Sequence, residues 1–297
     1  MIESHAHISG RKFDGNFRYL TCSGPGIFSA DEGDRPKLIG EMKNGNIQAV
    51  IEPAVGLDSN RTILETAERY PLFVFPTVGL HPTRTRNEKW QDRIVLEELS
   101  KRQPVVAIGE TGLDFHYPRR EQHRLCQLRW FIFQILLAHR RGLPLILHIR
   151  KADRMALAVL RLFRPFLHGG VAHCFHGSVK TANAFIRLGF SLGIGGVLLQ
   201  DNDDARELKE TVKSVPIEQI LLETDSPYVH PACDAVSSAK KRAKIRNSPL
   251  VLKAVAAKVA ELKGLESGFV ERITEENTRR LFRLPAACSV SGEKGAR

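Results

Sequence analysis

No stretch of about 18 consecutive apolar residues occurs in the 297-residue chain, so no membrane-spanning helix is expected. The first residues show no basic segment followed by an apolar one. No secretory leader is therefore expected, and the cytosol is the expected compartment. Cysteine is sparse: Cys22, Cys126, Cys174, Cys233 and Cys288 are odd in number and scattered, without a Cys-x-x-Cys. This argues against a disulfide framework or a thiolate zinc site and leaves reduced thiols as the simplest expectation. No Gly-x-Gly-x-x-Gly follows the first apolar run, which disfavours a dinucleotide fold.

What is present is basic charge and an ordinary share of apolar residues. The net charge is +11 with pI about 9.6, which favours polyanionic partners, nucleic acid above all. Spread along the chain, the same charge also reads as general solubility. Hydrophobic content of 42% and charged content of 26% suit a globular protein. The length permits one large core, since α/β barrels of about 250 residues form single domains.

Eight short apolar runs alternate with helical patterns. The runs are Met1–His5, Gln48–Pro53, Leu72–Val78, Pro104–Gly109, Leu143–His148, Gly170–Cys174, Phe190–Ile194 and Gln219–Thr224. Helices are predicted over 35–44, 58–70, 87–102, 119–141, 153–163, 179–188 and 203–213, with closing helices over 249–262 and 269–282. A polar segment from Gly10 to Gly33 is too broken by glycine for a helix and reads as a loop. A long basic loop spans Ser226 to Asn247. Near-continuous apolar strands imply a parallel sheet covered by helices. Eight βα units favour a closed (β/α)8 TIM barrel over an open doubly wound sheet. Residues 1–284 form the expected single domain and 285–297 a small, polar, flexible tail.

Metal-compatible residues fall at one end of these runs. His5 and His7, at i and i+2, share one face of a strand. Glu110 closes the fourth run, His148 the fifth and His173 the sixth, and Asp225 follows the eighth. Each alone has a plainer reading. His5 and His7 could be an exposed strand end, His148 a hydrogen-bonded core histidine, Glu110 a helix-start carboxylate, His173 a packing residue and Asp225 a turn cap. Together they sit at C-terminal strand ends, where barrel active sites form, and point to a site for one or two divalent cations. Imidazole and carboxylate without thiolate suit zinc, manganese, iron or magnesium better than copper(I).

Four segments then become specific. Gly109-Glu-Thr-Gly-Leu-Asp114, Leu147-His-Ile-Arg150, His173-Cys-Phe-His-Gly-Ser178 and Leu222-Glu-Thr-Asp-Ser-Pro227 resemble the signatures of the TatD-family metal-dependent hydrolases. Gly79-Leu-His-Pro82, Arg246-Asn-Ser-Pro249 and Glu276-Asn-Thr-Arg-Arg-Leu-Phe282 resemble further family segments in the expected order. The resemblance covers Met1 to about Phe282. It implies a TIM barrel of the amidohydrolase type and metal binding by His5, His7, Glu110, His148, His173 and Asp225. It also implies deoxyribonuclease activity, expected as an exonuclease acting from the 3′ end of DNA by a monomer. Glu3 stands where the family usually has Asp and is not assigned as a ligand. His176 stands where Ser or Thr is common, and the Gly10–Gly33 segment is heavier than the family pattern.

A phosphodiester is anionic, and two metals about 4 Å apart would neutralise it and activate water. Glu110 is the natural bridge, with His5 and His7 holding one metal, His148 and His173 the other, and Asp225 as general base. Magnesium is the family expectation; four imidazoles make a softer set, so zinc or manganese are alternatives. His81, Arg150 and Arg246 are candidate phosphate contacts, Arg246 within the basic run Lys240–Arg246, which also reads as a solvated loop. His116 and Tyr117 read as base-stacking or, preferably, packing residues. Two other functions compete: an amidohydrolase-type enzyme acting on an amide, lactone or aminoacyl ester, and a non-catalytic nucleic-acid-binding protein. Related barrels often use a modified lysine at the fourth strand; Glu110 occupies that place and favours the deoxyribonuclease branch.

Overall fold

Side chains of the apolar runs alternate between two cores, as the period of a strand requires. The computed structural model describes residues 1–24, 26–116, 123–233 and 236–285; Tyr117, Cys288 and the tail from 286 lie outside them. In chain order the elements are β1 (Ile2–Glu3), β2 (Phe17–Gly24), β3 (Ile27–Gly33), α1 (Arg35–Asn44), β4 (Ala49–Glu52), α2 (Leu57–Arg69) and β5 (Val74–Val78). Then come α3 (Arg93–Leu99), β6 (Ala107–Asp114), α4 (Arg124–Arg141), β7 (Leu145–Arg150), α5 (Asp153–Leu162), β8 (Gly170–Ala172) and α6 (Val179–Ile186). The last are β9 (Phe190–Ile194), α7 (Asp203–Ser214), β10 (Ile220–Leu222), α8 (Ala239–Lys244), β11 (Ile245–Arg246), α9 (Leu252–Lys263) and α10 (Ser267–Phe282).

Eight strands pair in parallel in the order β1-β4-β5-β6-β7-β8-β9-β10. The two ends of this sheet meet just beyond β1 and β10. Ser4 N–H donates to Leu222 O at 3.0 Å, Asp225 N–H to His5 O at 3.0 Å, and His7 N–H to Ser226 O at 2.8 Å. Ala6 and Ser226 form a parallel bridge there. The result is the expected (β/α)8 TIM barrel.

Its interior holds Ile2, Ile51, Phe75, Ala107, Ile146, Val171 and Leu221, one from each of seven strands. Phe282 and Leu284, at and after the end of α10, pack into the same cluster and floor the barrel. Intervening residues such as Leu145 and Leu147 face outward against Phe131, Ile135 and Leu160 of the helices. Helix ends follow local chemistry: Asp34 accepts from Lys37 N–H at 2.9 Å to cap α1. Gly142 takes the left-handed conformation, φ 64°, that stops α4.

Several boundaries differ from the sequence reading. The Gly10–Gly33 segment is not an irregular loop; it folds into the antiparallel hairpin β2–β3. Phe17 and Tyr19 are buried while Arg18 is exposed, so an alternating pattern was present between the glycines. The basic loop 226–247 contains α8 and β11, and β11 adds to β2 in parallel to complete a three-stranded sheet. The strand read as ending at Gly109 runs on to Asp114, after an irregularity in register between Ile108 and Thr111. The helix expected over 87–102 contracts to a 3-10 turn at Trp90–Asp92 and α3. The start expected at 119 for the next helix lies outside the described residues in part, and α4 begins at Arg124. Among the described residues, no disulfide joins any of the four cysteines, and no helix is long and apolar enough to cross a membrane.

Phe282 is 2% exposed on the barrel floor, at the opposite end from the C-terminal strand ends. We expect Phe282→Ala to cost about 3–5 kcal/mol in urea unfolding through loss of packing. A loss below about 1 kcal/mol would show that the floor is not formed by this ring.

Candidate metal centre

The extension of β6 carries Glu110 into the mouth of the barrel, where it is 2% exposed. Its Oε1 lies 2.8 Å from His148 Nδ1, 2.8 Å from His173 Nε2 and 3.3 Å from His81 Nε2. Its Oε2 lies 3.6 Å from His5 Nε2 and 3.8 Å from His7 Nε2. Asp225 Oδ1 faces the same two rings, 3.6 Å from His5 Nε2 and 3.4 Å from His7 Nε2. All six metal-compatible residues singled out in the sequence thus converge. His81, expected only as a phosphate contact, stands against Glu110 in the same cluster.

His7, His81 and His148 are oriented by hydrogen-bonding groups behind them, and His5 and His173 by packing against each other. His7 Nδ1 is 3.2 Å from Pro53 O, an acceptor only, so Nδ1 carries the proton and Nε2 offers its lone pair to the centre. His5 and His173 stack at 3.8 Å between centroids. His148 Nε2 lies 3.3 Å from Asp114 Oδ2. Glu223 Oε1 accepts from Cys174 N–H at 2.5 Å and lies 3.7 Å from His173 Nδ1. Residue 193 must be glycine for Glu223 to fit, because a Cβ there would come within 2.1 Å of Glu223 Oε2. Thr83 N–H donates to His81 Nδ1 at 3.1 Å, which leaves the proton of the neutral ring on Nε2, facing Glu110. His81 therefore acts as a hydrogen-bond donor to Glu110.

Two buried carboxylates support the cluster from outside. Glu3 Oε1 accepts from His5 N–H and Thr224 N–H, both at 3.0 Å, and so spans the seam where the barrel closes. Glu52 Oε1 accepts from Ser9 N–H and Ser9 Oγ, both at 2.5 Å, and burial pushes its carboxyl up to about 7. Asp114, Glu52 and Glu223 were missed in the sequence reading. Asp114 and Glu223 lie inside segments already singled out, Gly109–Asp114 and Leu222–Pro227, so position in a motif was the available signal. Nothing comparable marked Glu52.

Above the centre opens a cleft of about 690 Å³, lined among others by Arg150, Lys151, His116, His176 and Tyr228. His116 N–H donates to Asp114 Oδ1 at 3.0 Å. Arg246 is not brought into this cleft; it lies on β11 with its guanidinium 5.2 Å from the Phe17 ring centroid.

The electrostatics call for positive charge. Burial pushes the Glu110 carboxyl up, but the charge of His173 and hydrogen bonds from His148 and His173 hold it well below the usual carboxylate range. Burial likewise opposes ionisation of Asp225, yet its hydrogen bond with His7 and the charge of His5 hold it low. Burial disfavours charge on His173, but Glu110 raises that ring well above its ordinary value. His148 is raised as well, against burial, by hydrogen bonds to Asp114 and Glu110. His5 goes the other way, lowered by burial and by His173. Both of its ring nitrogens are buried without a hydrogen-bond partner among the described residues, as a donor waiting for a cation would be.

Among the described residues, three overlapping groups hold ligand atoms within 4.8 Å of one another: His5, His173 and Asp225; His5, His7 and Glu110; His81, Glu110 and His148. The set of nitrogen and oxygen donors without sulfur fits a divalent cation. Protons and that cation compete for the same lone pairs. Because His148 and His173 are raised above 6.5, binding at neutral pH expels protons, and apparent affinity rises with pH until those rings are neutral. Calorimetric titration of chelator-treated protein with zinc, in two buffers of different ionisation enthalpy, measures this; equal heats in both would contradict it. Glu110→Gln, which removes the shared charge, should lower bound metal at least tenfold as measured by elemental analysis.

A family model described as TatD related DNase matches residues 2–283. A Bacillus subtilis protein, named as the uncharacterized metal-dependent hydrolase YabD, is 30% identical over 284 residues, 96% of this chain and 99% of that protein. The 3'-5' ssDNA/RNA exonuclease TatD of Edwardsiella piscicida is 33% identical over 252 residues, 85% of this chain and 94% of that protein. The crystal structure of YjjV, a TatD homolog from Escherichia coli, matches with a TM-score of 0.80 at 25% identity, over 96% of this chain and 98% of that one. With the family model matched from the first barrel strand to the end of the last helix, the chain belongs to the TatD family of metal-dependent hydrolases.

Proposed function

We propose that the protein is a deoxyribonuclease that hydrolyses phosphodiester bonds from the 3′ end of DNA. The observation that carries this reading is the placement of Glu110, whose Oε1 faces His148 and His173 while Oε2 faces His5 and His7. One carboxylate shared between two imidazole pairs suits two divalent cations, which His5, His7 and Asp225 would hold on one side and His148 and His173 on the other. Magnesium is the family expectation, with zinc or manganese favoured by the imidazoles. Such ions supply Lewis acidity toward phosphate oxygen and water.

The chain's own residues do the rest. Asp225 is ionised at neutral pH and faces the His5 and His7 side, where it can take a proton from water. His81 and Asp114 keep Glu110 and His148 in place. Arg150, on the cleft wall, offers a guanidinium fork to a phosphate oxygen. The relatives named as exonucleases on single-stranded DNA and RNA, and the net charge of +11, support an anionic polymer as substrate.

End-labelled DNA and RNA, incubated with each of magnesium, manganese and zinc, test the reading; release of mononucleotide from the 3′ end is expected. Hydrolysis of esters, lactones or amides without cleavage of any oligonucleotide would replace it with the amidohydrolase alternative. Asp225→Asn should lower kcat about 10²–10⁴-fold with metal content kept. Retained turnover would remove Asp225 from the role of base.

A further inference from the structure

The Gly10–Gly33 segment places a cation at the mouth of the cleft. The 3-10 turn Arg11–Phe13, just ahead of the hairpin, holds Lys12 Nζ 4.1 Å from the centroid of the Tyr228 ring. Tyr228 lines the cleft, is 46% exposed, and stands edge-on to His7 at 5.8 Å. Arg246, on the outer strand of the small sheet, lies near enough to lower the pKa of Lys12, after burial, while Asp225 pulls it the other way. Among the described residues, neither Lys12 nor Arg246 pairs with a carboxylate. Beyond Arg246, α8 adds exposed Lys240, Arg242 and Lys244, and the whole stretch 239–246 contains no acidic residue.

The sheet order β11-β2-β3 separates the charges. Asp31 and Glu32 lie on β3, at the far edge, and are engaged there by Lys37 and Asn16. The near edge is cationic and ends at an exposed aromatic ring above the metal centre. Aromatic rings accept stacked bases whatever their identity, and cations in line with them follow the phosphates; only a single strand exposes a base face for this.

We propose that Tyr228, Lys12 and Arg246 form a nucleotide subsite for single-stranded nucleic acid outside the metal centre. One base lies on Tyr228, and the phosphates that follow are held by Lys12 and Arg246 as the strand leaves along β11 toward α8. The proposal rests on the phosphodiester reading above and adds the path of the uncleaved strand.

Fluorescence anisotropy with a labelled oligothymidylate about twelve nucleotides long, on chelator-treated protein across a salt series, tests it independently of cleavage. Lys12→Ala and Arg246→Ala should each reduce the slope of log affinity against log salt by about 0.7. Tyr228→Ala should weaken binding roughly tenfold, with Tyr228→Phe close to the unsubstituted protein because the ring is kept. If the protein binds the strand and all three alanine variants bind it equally well with the same slope, the subsite falls and the nuclease reading stands. If the protein neither binds nor cleaves any oligonucleotide, both fall.

Discussion

Closing the barrel and assembling the site depend on the same few backbone hydrogen bonds. The seam between the first and last barrel strands is made by Ser4, His5 and His7 on one side and Leu222, Asp225 and Ser226 on the other. Three of those residues carry the groups that face Glu110 or one another at the centre. Glu3 fastens the seam again from behind, between the backbones of His5 and Thr224. The sheet cannot close in a shifted register without carrying His5, His7 and Asp225 out of line, because strand faces alternate with every residue.

Electrostatics then explains why so much charge is tolerated in so small a buried volume. An isolated carboxylate at the position of Glu110 would lose most of its hydration. Four imidazoles surround it within 3.8 Å, and His81 adds a fifth whose proton is aimed by Thr83. Burial of each ring and attraction to the shared carboxylate pull in opposite directions, and the outcome differs ring by ring. His173 ends raised and His5 lowered although they stack face to face. A cluster with this division of protons is prepared for a cation and holds its donors in place through Pro53, Asp114 and Glu223.

The fold was legible because eight apolar runs with helices between them admit few architectures, and the site because its residues all fell at one end of those runs. What could not be read follows from contacts distant in sequence. Asp114 becomes part of the centre only because β6 continues past an irregular register that no local pattern announces. Glu52 is defined by Ser9, and Glu223 by the absence of a side chain at Gly193. The hairpin was hidden by its glycines: Gly24 and Gly26 mark a turn, yet the same residues discourage assigning any element at all. Arg246, grouped with the phosphate contacts, sits on a strand paired with that hairpin, so its place could not be known before the hairpin was.

The seam also sets an order of events in the life of the chain. Ser4 bonds Leu222 across 218 residues, and Glu3 bonds Thr224 across 221. Contacts at such separation form late, after the closure entropy of the intervening chain has been met. A growing polypeptide has His5 and His7 from the outset but gains Asp225 only when the last barrel strand has been made. Until then the donors cannot gather on one point, and any cation they attract is held loosely. The active constellation is therefore a property of the finished chain, withheld throughout synthesis by topology alone.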